Sequence, residues 1–461
     1  MSATIVPQSS AMTAAERTAV ASLGALYAVR MLGLFMVLPV IAIYLGAYPG
    51  YSPAILGLAL GAYGLTQALL QIPFGLWSDR WGRKPVITIG LLVFFIGSVV
   101  AATADTAVGV VIGRAIQGAG AVASTVLALV ADLTREEQRS KAMAAIGMSI
   151  GLTFALSLIL GPLVSATYGL VGLFWFTAVL SLLAIGLLWF AVPSQPKVVN
   201  KEVSPAKELF GRVLADKDLL RLNLGIFSLH FVLTALFSII PILLVDVLAV
   251  NVQAHWKVYL PVLGLSFVLM LPAMIYADKS GNLKRVFCAA VAVLLAALLL
   301  LALGAANGIV LVTALFVFFV GFNLLEALLP SMVSRQVFAG GRGTAMGVYS
   351  TCQFLGIFAG GALSGLAMAL YGPVAIFILC GLVLFVWLSV ALGMSVPVVG
   401  KTIVISLNDK GLELEKLTDN LLAIEGVLDV MIDSSAALMY LKTSPAQFNR
   451  ASFDRVMAGQ G

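Results

Sequence analysis

The chain has 461 residues, of which 61% are hydrophobic and 10% are charged, with a formal net charge of +6. Soluble globular proteins carry roughly 25% charged residues, so this composition excludes an ordinary soluble protein and indicates a polytopic membrane protein. Long apolar runs and 44 glycines favour packed transmembrane helices over the strands of an outer-membrane barrel.

The N-terminal stretch and the cysteines point to no further class of site. Residues 1–15 are polar and lack a short apolar region with a cleavage site, so we expect no cleaved signal peptide. Cys288, Cys352 and Cys380 lie inside apolar runs without paired spacing, which predicts core packing. We expect no metal and no cofactor.

Twelve apolar runs have about the 20 residues that a helix needs to cross a bilayer. They cover 19–45, 53–78, 85–104, 107–131, 142–167, 170–192, 221–245, 256–277, 285–304, 308–333, 342–369 and 372–394. The predicted domains are a six-helix half at 1–192, a linker at 193–220, a second half at 221–395 and a soluble domain at 401–461. Within the linker, Leu209, Phe210, Val213 and Leu214 form an apolar stripe that predicts a short helix on the membrane surface.

The basic residues give the orientation. Of the 27 Lys and Arg, Lys257 alone falls in a loop on one side, and Arg30 and Arg114 fall within spans. The remaining 24 lie on the opposite side together with both termini. Because basic residues are retained in the cytoplasm, both termini are predicted to be cytoplasmic, in a chain integral to the inner membrane.

The loop between the second and third spans reads GLWSDRWGRKP, from Gly75 to Pro85. Its glycines allow a sharp reversal, and Asp79 can pair with Arg83 one turn later. The positive-inside rule accounts for the basic residues but not for the aspartate. The stretch resembles the loop signature of the major facilitator superfamily, G-x-L-x-D-R-x-G-R-K. The matching residues are Gly75, Asp79, Arg80, Gly82, Arg83 and Lys84.

The corresponding loop of the second half reads AMIYADKSGNLKR and repeats the D-x-x-G spacing. Its residues of interest are Asp278, Gly281, Lys284 and Arg285. The resemblance covers about residues 17–395, and it implies a twelve-helix major facilitator fold with two pseudo-symmetric halves of six helices. The fold class is therefore an all-α polytopic membrane protein with a small additional domain.

Two further elements resemble the superfamily. VVIGRAIQGAG, with Arg114 and Gln117, is similar to its R-x-x-Q-G-x-G element in the fourth helix. SLILGPLVSA is similar to the antiporter-associated G-x-x-x-G-P-x-x-G-G pattern, but Ser157, Ser165 and Ala166 replace three glycines, which weakens the inference of antiport. Other stretches resemble YajR-type transporters, which carry a small cytoplasmic domain after the twelfth helix. These stretches are 30–39, 255–260 and 343–356.

The C-terminal segment changes to a soluble composition from Lys401 onwards. Its pattern predicts strand, helix, strand, strand and helix, which is a ferredoxin-like α+β domain. The segment has no cysteine, so a thiolate copper site is excluded. Regulation or self-association is the role that we expect of it.

Ionisable residues inside a membrane are costly, so each is a functional candidate. Arg30 is predicted either to contact substrate or a carboxylate, or to fix helix packing through backbone carbonyls. Arg114 lies beside Gly118 and Gly120, which favours a packing role over a proton relay. In the second half, Glu326 is the one carboxylate well inside a span, and a hydrogen bond between helices is the alternative to binding a transported proton.

Several polar side chains accompany Glu326. Asn323 lies one turn earlier on the same helical face, and His230 lies in the middle of the seventh span, where a histidine either titrates or packs. Polar groups are also predicted to line a central cavity. They are Gln67, Gln71, Tyr349 and Gln353.

The family resemblance implies a conformational latch. Asp79 would face the N-terminus of the eleventh helix near Gly343 and Thr344, where free amides and the helix dipole favour an anion. Arg83 would pair with Asp79 and with Asp132 at the end of the fourth helix. These contacts would hold the halves together on the cytoplasmic side in the outward-open state.

The resemblance and the buried charges together predict a secondary transporter that works by alternating access, driven by protons, and exports a small or drug-like molecule. A proton-coupled symporter and a non-transporting sensor that signals through the C-terminal domain are the alternatives. No ATPase signature is present in the sequence, and we expect no enzymatic activity. The expected partners are a small-molecule substrate, protons and the lipid bilayer, with no nucleic acid, and a regulatory partner or a second copy at the C-terminal domain.

Overall fold

The computed structural model describes residues 11–193, 206–338, 341–395, 401–406, 414–433, 438–444 and 447–457. Helices dominate these ranges up to residue 395. They are α1 (Ala14–Phe35), α2 (Leu38–Tyr44), α3 (Pro53–Trp81), α4 (Arg83–Ala102), α5 (Ala107–Ala119), α6 (Ala123–Asp132), α7 (Glu136–Phe190), α8 (Ala206–Ala215), α9 (Lys217–Phe237), α10 (Ile240–Asp246), α11 (Trp256–Ser280), α12 (Leu283–Gly304), α13 (Gly308–Gln336), α14 (Arg342–Tyr371) and α15 (Val374–Leu392). Two short 3₁₀ turns, Leu45–Ala47 and Val252–Ala254, follow α2 and precede α11.

Several helices begin at a polar residue that caps the first turn. Thr13, Ser52, Thr106, Asp216 and Asn307 each accept a hydrogen bond from a backbone N–H of the helix that follows. Such a side chain satisfies an amide that has no partner within the helix. These caps explain why apolar runs that are nearly continuous in sequence separate into distinct helices.

Eleven segments in the described part of the chain are long and apolar enough to cross a membrane. One of them, Lys141–Phe190, has 50 residues and would be about 75 Å long as a straight helix, which is more than twice the thickness of the hydrocarbon core. Its backbone leaves the helical region at Gly169, with φ 64° and ψ −166°. This segment therefore supplies two crossings, and the predicted twelve-helix fold is confirmed.

Three of the predicted spans are divided in the structure. The first consists of α1 and α2, and the seventh consists of α9 and α10; the second piece of each begins beside a proline, Pro39 or Pro241. Proline has no N–H to donate, so it is accommodated at the start of a helix. The fourth span breaks between α5 and α6 at Gly120, whose ψ of 55° is not helical. The equivalent breaks in the first and seventh spans follow the pseudo-symmetry of the halves.

The two ends of the helix bundle pack differently. We call the end at Gly82 and Gly281 the proximal end, and the opposite end, at Gly50 and Gly372, the distal end. In the distal part α3 lies directly against α14, because a methyl group added at Gly61 would lie only 2.7 Å from the carbonyl oxygen of Phe358. Small residues permit this close approach of helices.

The proximal part of α14 has no such contact. A methyl group added at Gly343 or Gly347 would meet no described atom within 4 Å. Phe154 of α7, by contrast, packs on the distal side against rings of the second half, with centroids 6.4 Å from Phe237 and 6.3 Å from Phe322. The two halves are thus joined distally, and a cleft between them opens towards the proximal end.

The linker helix α8 packs against α9 and α14. Leu209 and Val213 are buried, whereas Phe210 and Leu214 remain exposed. The predicted helix is present, and half of its apolar stripe faces the bundle.

The C-terminal domain contains β1 (Lys401–Ser406), α16 (Leu414–Leu422), β2 (Val427–Asp433), β3 (Leu438–Thr443) and α17 (Arg450–Met457). The strands form an antiparallel sheet in the order β1-β3-β2. Leu421, Met439, Leu441 and Phe453 form its core. This is the predicted βαββα order of a ferredoxin-like domain.

Candidate functional site

The loop between α3 and α4 places one arginine between two carboxylates. Gly82 adopts a φ of 92°, which a glycine accommodates without strain, and Arg83 begins α4 directly afterwards. Arg83 pairs with Asp79 and, through Nε at 2.9 Å, with Asp132 at the end of α6. Its Nη1 also donates to Ser78 Oγ at 2.6 Å. The loop is thereby tied to α6 within the first half.

The predicted contact between Asp79 and the eleventh helix is not formed in this structure. Of the groups that the structure describes, Arg83 pairs with Asp79, and neither Gly343 nor Thr344 does. The physical reason is the state of the bundle, because the proximal ends of the halves are apart and the space beside Gly343 is open.

The other loop residues have separate surroundings. Lys84 Nζ donates to the carbonyl oxygen of Val192 at 2.7 Å, Arg80 is exposed in the last turn of α3, and Gly75 lies close to Ser124 of α6.

The corresponding loop of the second half shares the turn but lacks the arginine. Gly281 ends α11 in the left-handed conformation, with a φ of 68°. When Asp278 and Gly281 are aligned with Asp79 and Gly82, Asn282 stands where Arg83 stands. The side chain of Asp278 lies outside the described part, and Lys284 and Arg285 lie in the first turn of α12.

In the second half, Glu326, His230 and Gln353 converge from three helices. Glu326 Oε2 of α13 lies 3.9 Å from His230 Nε2 of α9, and the Glu326 side chain is 39% exposed. The Gln353 amide of α14 lies 2.7 Å from the same histidine nitrogen. Tyr349, one turn before Gln353, is buried. The 3.9 Å separation exceeds hydrogen-bond length, so the carboxylate and the imidazole interact electrostatically when the imidazole is protonated.

Asn323 has a different partner from Glu326. Its side-chain amide donates to Ser266 Oγ of α11 at 2.8 Å, and both residues are buried. This bond joins α13 to α11 one turn before Glu326. Of the groups described, none hydrogen bonds Glu326 Oε2, so the carboxylate keeps an unused acceptor.

In the first half, Arg30 of α1 is buried among polar groups of α3. Its Nη2 donates to Tyr63 Oη at 2.8 Å and to Gln67 Oε1 at 2.7 Å. It also lies 3.4 Å from the carbonyl oxygen of Gly120, at the break between α5 and α6. Gln67 continues the network to Gln71 at 3.2 Å. Arg30 Nε and Nη1 have no hydrogen-bond acceptor among the described groups.

Arg114 of α5 lies on the other side of Tyr63. Its guanidinium carbon is 5.0 Å from the centroid of the tyrosine ring. Nη1 donates to Gln117 Oε1 at 2.9 Å, and Gln117 donates to Ser98 Oγ at 2.8 Å. Nε lies 3.3 Å from the carbonyl oxygen of Ala59. These bonds join α5 to α3 and α4.

Two contacts of this geometry involve residues that the sequence patterns do not identify as functional candidates. Tyr63, which contacts both arginines, occurs in an apolar run and has no motif around it. Arg135 Nε and Nη2 each lie 3.0 Å from a carboxylate oxygen of Glu16, and this pair ties the start of α1 to the start of α7. The spacing of Thr13 and Glu16 is that of a capping box, and this pattern indicates that the Glu16 side chain is held at the start of α1.

The C-terminal domain contacts the proximal end of α13. Lys442 Nζ of β3 donates to the carbonyl oxygens of Arg335, Gln336 and Val337, at 2.7, 3.3 and 2.9 Å. Burial lowers the pKa of the Lys442 amine, and the nearby Asp429 opposes that change. A lysine at this position caps carbonyls that have no partner within the helix.

The linker helix completes the contact. Arg212 of α8 lies 3.7 Å from Asp429 of β2, and its guanidinium carbon is 4.1 Å from the centroid of the Phe338 ring. The domain therefore touches the transmembrane bundle at the end of the helix that carries Glu326.

The described part of the chain contains no group of three or more His, Cys, Asp or Glu residues placed to hold a metal ion. A family model described as Major Facilitator Superfamily matches residues 23–361. The chain belongs to the major facilitator superfamily.

Individual relatives agree with this assignment. The chain is similar to the inner membrane transport protein YajR of Escherichia coli, with 43% identity over 447 residues that cover 97% of this chain and 98% of that protein. It is 27% identical over 325 residues to the multidrug resistance protein MdtH of Aeromonas salmonicida, covering 69% and 79% of the two chains.

A solved structure shows the same fold. The nucleoside transporter NupG aligns with a TM-score of 0.66 at 15% identity, over 81% of this chain and 99% of that chain. The protein is an integral membrane transporter of the major facilitator superfamily.

Proposed function

We propose that the protein is a proton-coupled exporter of a small or drug-like molecule that works by alternating access in the inner membrane. The observation that carries the proposal is the Glu326–His230 pair, which lies across two helices of the second half; the Glu326 side chain is 39% exposed, and its Oε2, which faces His230, is buried. A carboxylate at this place in a membrane helix suits proton coupling. Export is favoured because the MdtH relative is named a multidrug resistance protein.

The proximal end is assigned to the cytoplasm, because the basic residues of the loops belong to that end with the exception of Lys257. The open cleft is then the inward-facing state. In the outward-facing state the proximal ends close, and Asp79 meets the N-terminus of α14 near Gly343. Asp79, Arg83 and Asp132 thus act as a latch for the closed proximal end, and the loop at Asp278 to Arg285 is its pseudo-symmetric counterpart.

Flux in proteoliposomes with an imposed pH gradient tests the coupling. A panel of drug-like compounds is added while pyranine inside the vesicles reports the internal pH. We expect at least one compound to dissipate the gradient, and we expect Glu326→Gln to abolish that coupled proton flux. Ser266→Ala is the control, because it removes the hydrogen-bond partner of Asn323 and leaves Glu326 in place. Asn323→Asp is not suitable, since it would add a charge.

Unchanged proton flux in Glu326→Gln would refute the assignment of the coupling residue. A proton-coupled symporter is the second candidate, favoured by the replacement of three motif glycines by Ser157, Ser165 and Ala166. The two directions differ in sign, because symport into the vesicles acidifies the lumen with substrate entry, whereas antiport makes it alkaline.

The C-terminal domain is proposed to regulate transport through its contact with α13. The support is the bonding of Lys442 to three carbonyl oxygens at the end of that helix. A second copy of the chain or another regulatory partner that binds the domain would act at the same contact. A sensor without transport would show no flux for any compound, while deletion of the domain would still change a cellular response.

A further inference from the structure

Two buried arginines of the first half share one tyrosine and lack a carboxylate. Arg30 is 2% exposed and Arg114 is fully buried. Arg30 Nη2 bonds the hydroxyl of Tyr63, and Arg114 lies over the face of the same ring. Among the described residues, no Asp or Glu pairs with either guanidinium, and three guanidinium nitrogens have no acceptor. These nitrogens are Arg30 Nε, Arg30 Nη1 and Arg114 Nη2.

This arrangement is electrostatically incomplete. An arginine side chain keeps its charge at physiological pH, so the site holds two positive charges close together. Burying a charge is strongly unfavourable unless it is paired and hydrogen bonded. Neutral acceptors such as Gln67 and Gln117 satisfy single N–H groups, but they do not neutralise the charge. A site with this deficit is complete when an anion occupies it.

The site also lies at the boundary between the halves. The ring of Tyr63 is 6.3 Å from that of Phe354 of α14, and Phe354 directly follows Gln353, which contacts His230. The α3–α14 contact must separate when the distal end opens in alternating access. The same movement would uncover Tyr63 and the arginines behind it.

We propose that Arg30, Tyr63 and Arg114 form the subsite for the anionic group of the transported substrate, which is an organic carboxylate. The apolar ring of Phe354 beside the charged groups suits a carboxylate on an apolar or aromatic body. The inference rests on the proposed transport function and adds the chemical class of the substrate to it.

A charge substitution at Gln67 tests the deficit without any ligand. Gln67→Glu supplies a carboxylate of nearly the same shape, 2.7 Å from Arg30 Nη2. If the site lacks a counter-charge, the purified full-length variant melts roughly 2 °C or more above the wild type. If Arg30 is already balanced as a packing residue, the added buried charge lowers the melting temperature, and the proposal is wrong. Gln353→Glu, which places the same change 2.7 Å from His230 Nε2 in the cluster that already holds Glu326, is the matched control and is expected to destabilise.

Ligand binding is tested with benzoate, its neutral analogue benzamide and inorganic sulfate. Benzoate is expected to raise the melting temperature of the wild type in a concentration-dependent manner, by mass action on the folded state. Benzamide is expected to have no effect, and Arg30→Gln and Gln67→Glu are expected to abolish the benzoate shift. No shift with benzoate, or an equal shift with benzamide, contradicts the proposal.

Other anions show which class of anion occupies the site. A sulfate shift as large as that of benzoate would assign the site to a free inorganic anion, and a shift produced by phosphatidylglycerol in mixed micelles but not by benzoate would assign it to a lipid headgroup. Either result overturns the substrate assignment. The coupling proposal fails separately, because Glu326→Gln is expected to keep the benzoate shift while losing proton-coupled flux.

Discussion

Arg83 contacts carboxylates from two different helices, and the sequence contains most of the information for this contact. Asp79 and Arg83 are one helical turn apart, so their pairing follows from local spacing. The contact of Arg83 with Asp132, at 2.9 Å, spans 49 residues and was expected from the family resemblance alone. Whether Asp79 contacts α14 depends on the conformational state of the bundle. The spacing of residues along the chain carries no information about that state.

We predict that Asp79→Asn favours the proximal-open state. The ion pair with Arg83 is already formed in the open state, so its loss does not favour that state. The variant loses the attraction of a carboxylate to the N-terminus of α14, which only the closed state would provide; this is worth up to about 1 kcal/mol, so the ratio of open to closed rises roughly fivefold at most. Labelling of a cysteine at Gly347, from the proximal side and in a background without native cysteines, measures the change.

Arg80→Gln is the control for this experiment, because Arg80 belongs to the same signature and is exposed. It is expected to leave the labelling rate at that of the wild type. Equal rates for Asp79→Asn and Arg80→Gln would count against the latch.

In the two polar clusters, sequence patterns identify individual residues but not which residues contact one another. Glu326 and His230 are each conspicuous in an apolar run, but they are 96 residues apart in sequence, and only packing of α9 against α13 brings them to 3.9 Å. Arg30 left a choice between substrate and packing, and Tyr63 was missed. Their relation depends on the register of α1 against α3, which composition and spacing do not contain.

At the scale of helices, the sequence predicts the length and the first residue of each helix more accurately than the positions at which a span is interrupted. Apolar length and capping residues located the spans, whereas the break between α5 and α6 depends on the backbone at Gly120, where a methyl group would meet Phe94 N at 3.1 Å. The turn at Gly169 separates the predicted fifth and sixth spans. A turn in this region was predictable because one span cannot hold an apolar segment of 50 residues in total.

We predict that Phe154→Ala favours opening of the distal end. Phe154 of α7 packs against Phe237 and Phe322 of the second half, so truncation removes contacts made across the halves. Aromatic pairs contribute about 0.5–1.5 kcal/mol each beyond area burial, so the loss of these two pairs, about 1–3 kcal/mol, shifts the ratio of the two states by roughly 5- to 150-fold. Cysteine labelling at Gly347 is expected to fall as the proximal end closes.

Phe318→Ala provides the comparison, since Phe318 contacts Phe319 and Phe322 of its own helix. It should lower the melting temperature without changing the ratio of the two states. If both variants alter labelling equally, the effect is general destabilisation and Phe154 has no gating role.

At the scale of the molecule, the repeat of two six-helix halves was predictable because the loop signature occurs twice at equivalent helix junctions. The C-terminal domain was predictable from its abrupt change of composition and alternating strands. Its site of contact was not, since Lys442 is an ordinary strand residue until the fold places it at the end of α13. The state of the cleft was also not predictable, because one sequence must support both states.

We predict that Lys442→Met detaches the C-terminal domain from the bundle. The substitution keeps an apolar chain of similar length and removes hydrogen bonds to three carbonyl oxygens. Hydrogen exchange at the proximal end of α13 is expected to accelerate, and the rate of transport is expected to change. Arg450→Met is the control, because Arg450 pairs with Asp454 within α17.

A charge exchange gives a second view of the same interface. Arg212→Asp alone is expected to weaken docking, and combining it with Asp429→Arg is expected to restore it. If the double variant behaves like the single one, the contact of α8 with β2 does not contribute to docking.

The contact of Lys442 with α13 has a mechanical consequence. Glu326 lies nine residues before Arg335 on one continuous helix, a distance of about 14 Å. Pro330 lies inside the helix between these two residues, and because proline cannot donate the backbone hydrogen bond of its turn, the helix bends most readily there. A small displacement of the soluble domain would therefore reach the carboxylate through a change of the bend at Pro330. The coupling also acts in the opposite direction. A shift of α13 during a transport cycle would move β3 through Lys442, so a partner bound to the C-terminal domain would respond to the conformation of the bundle.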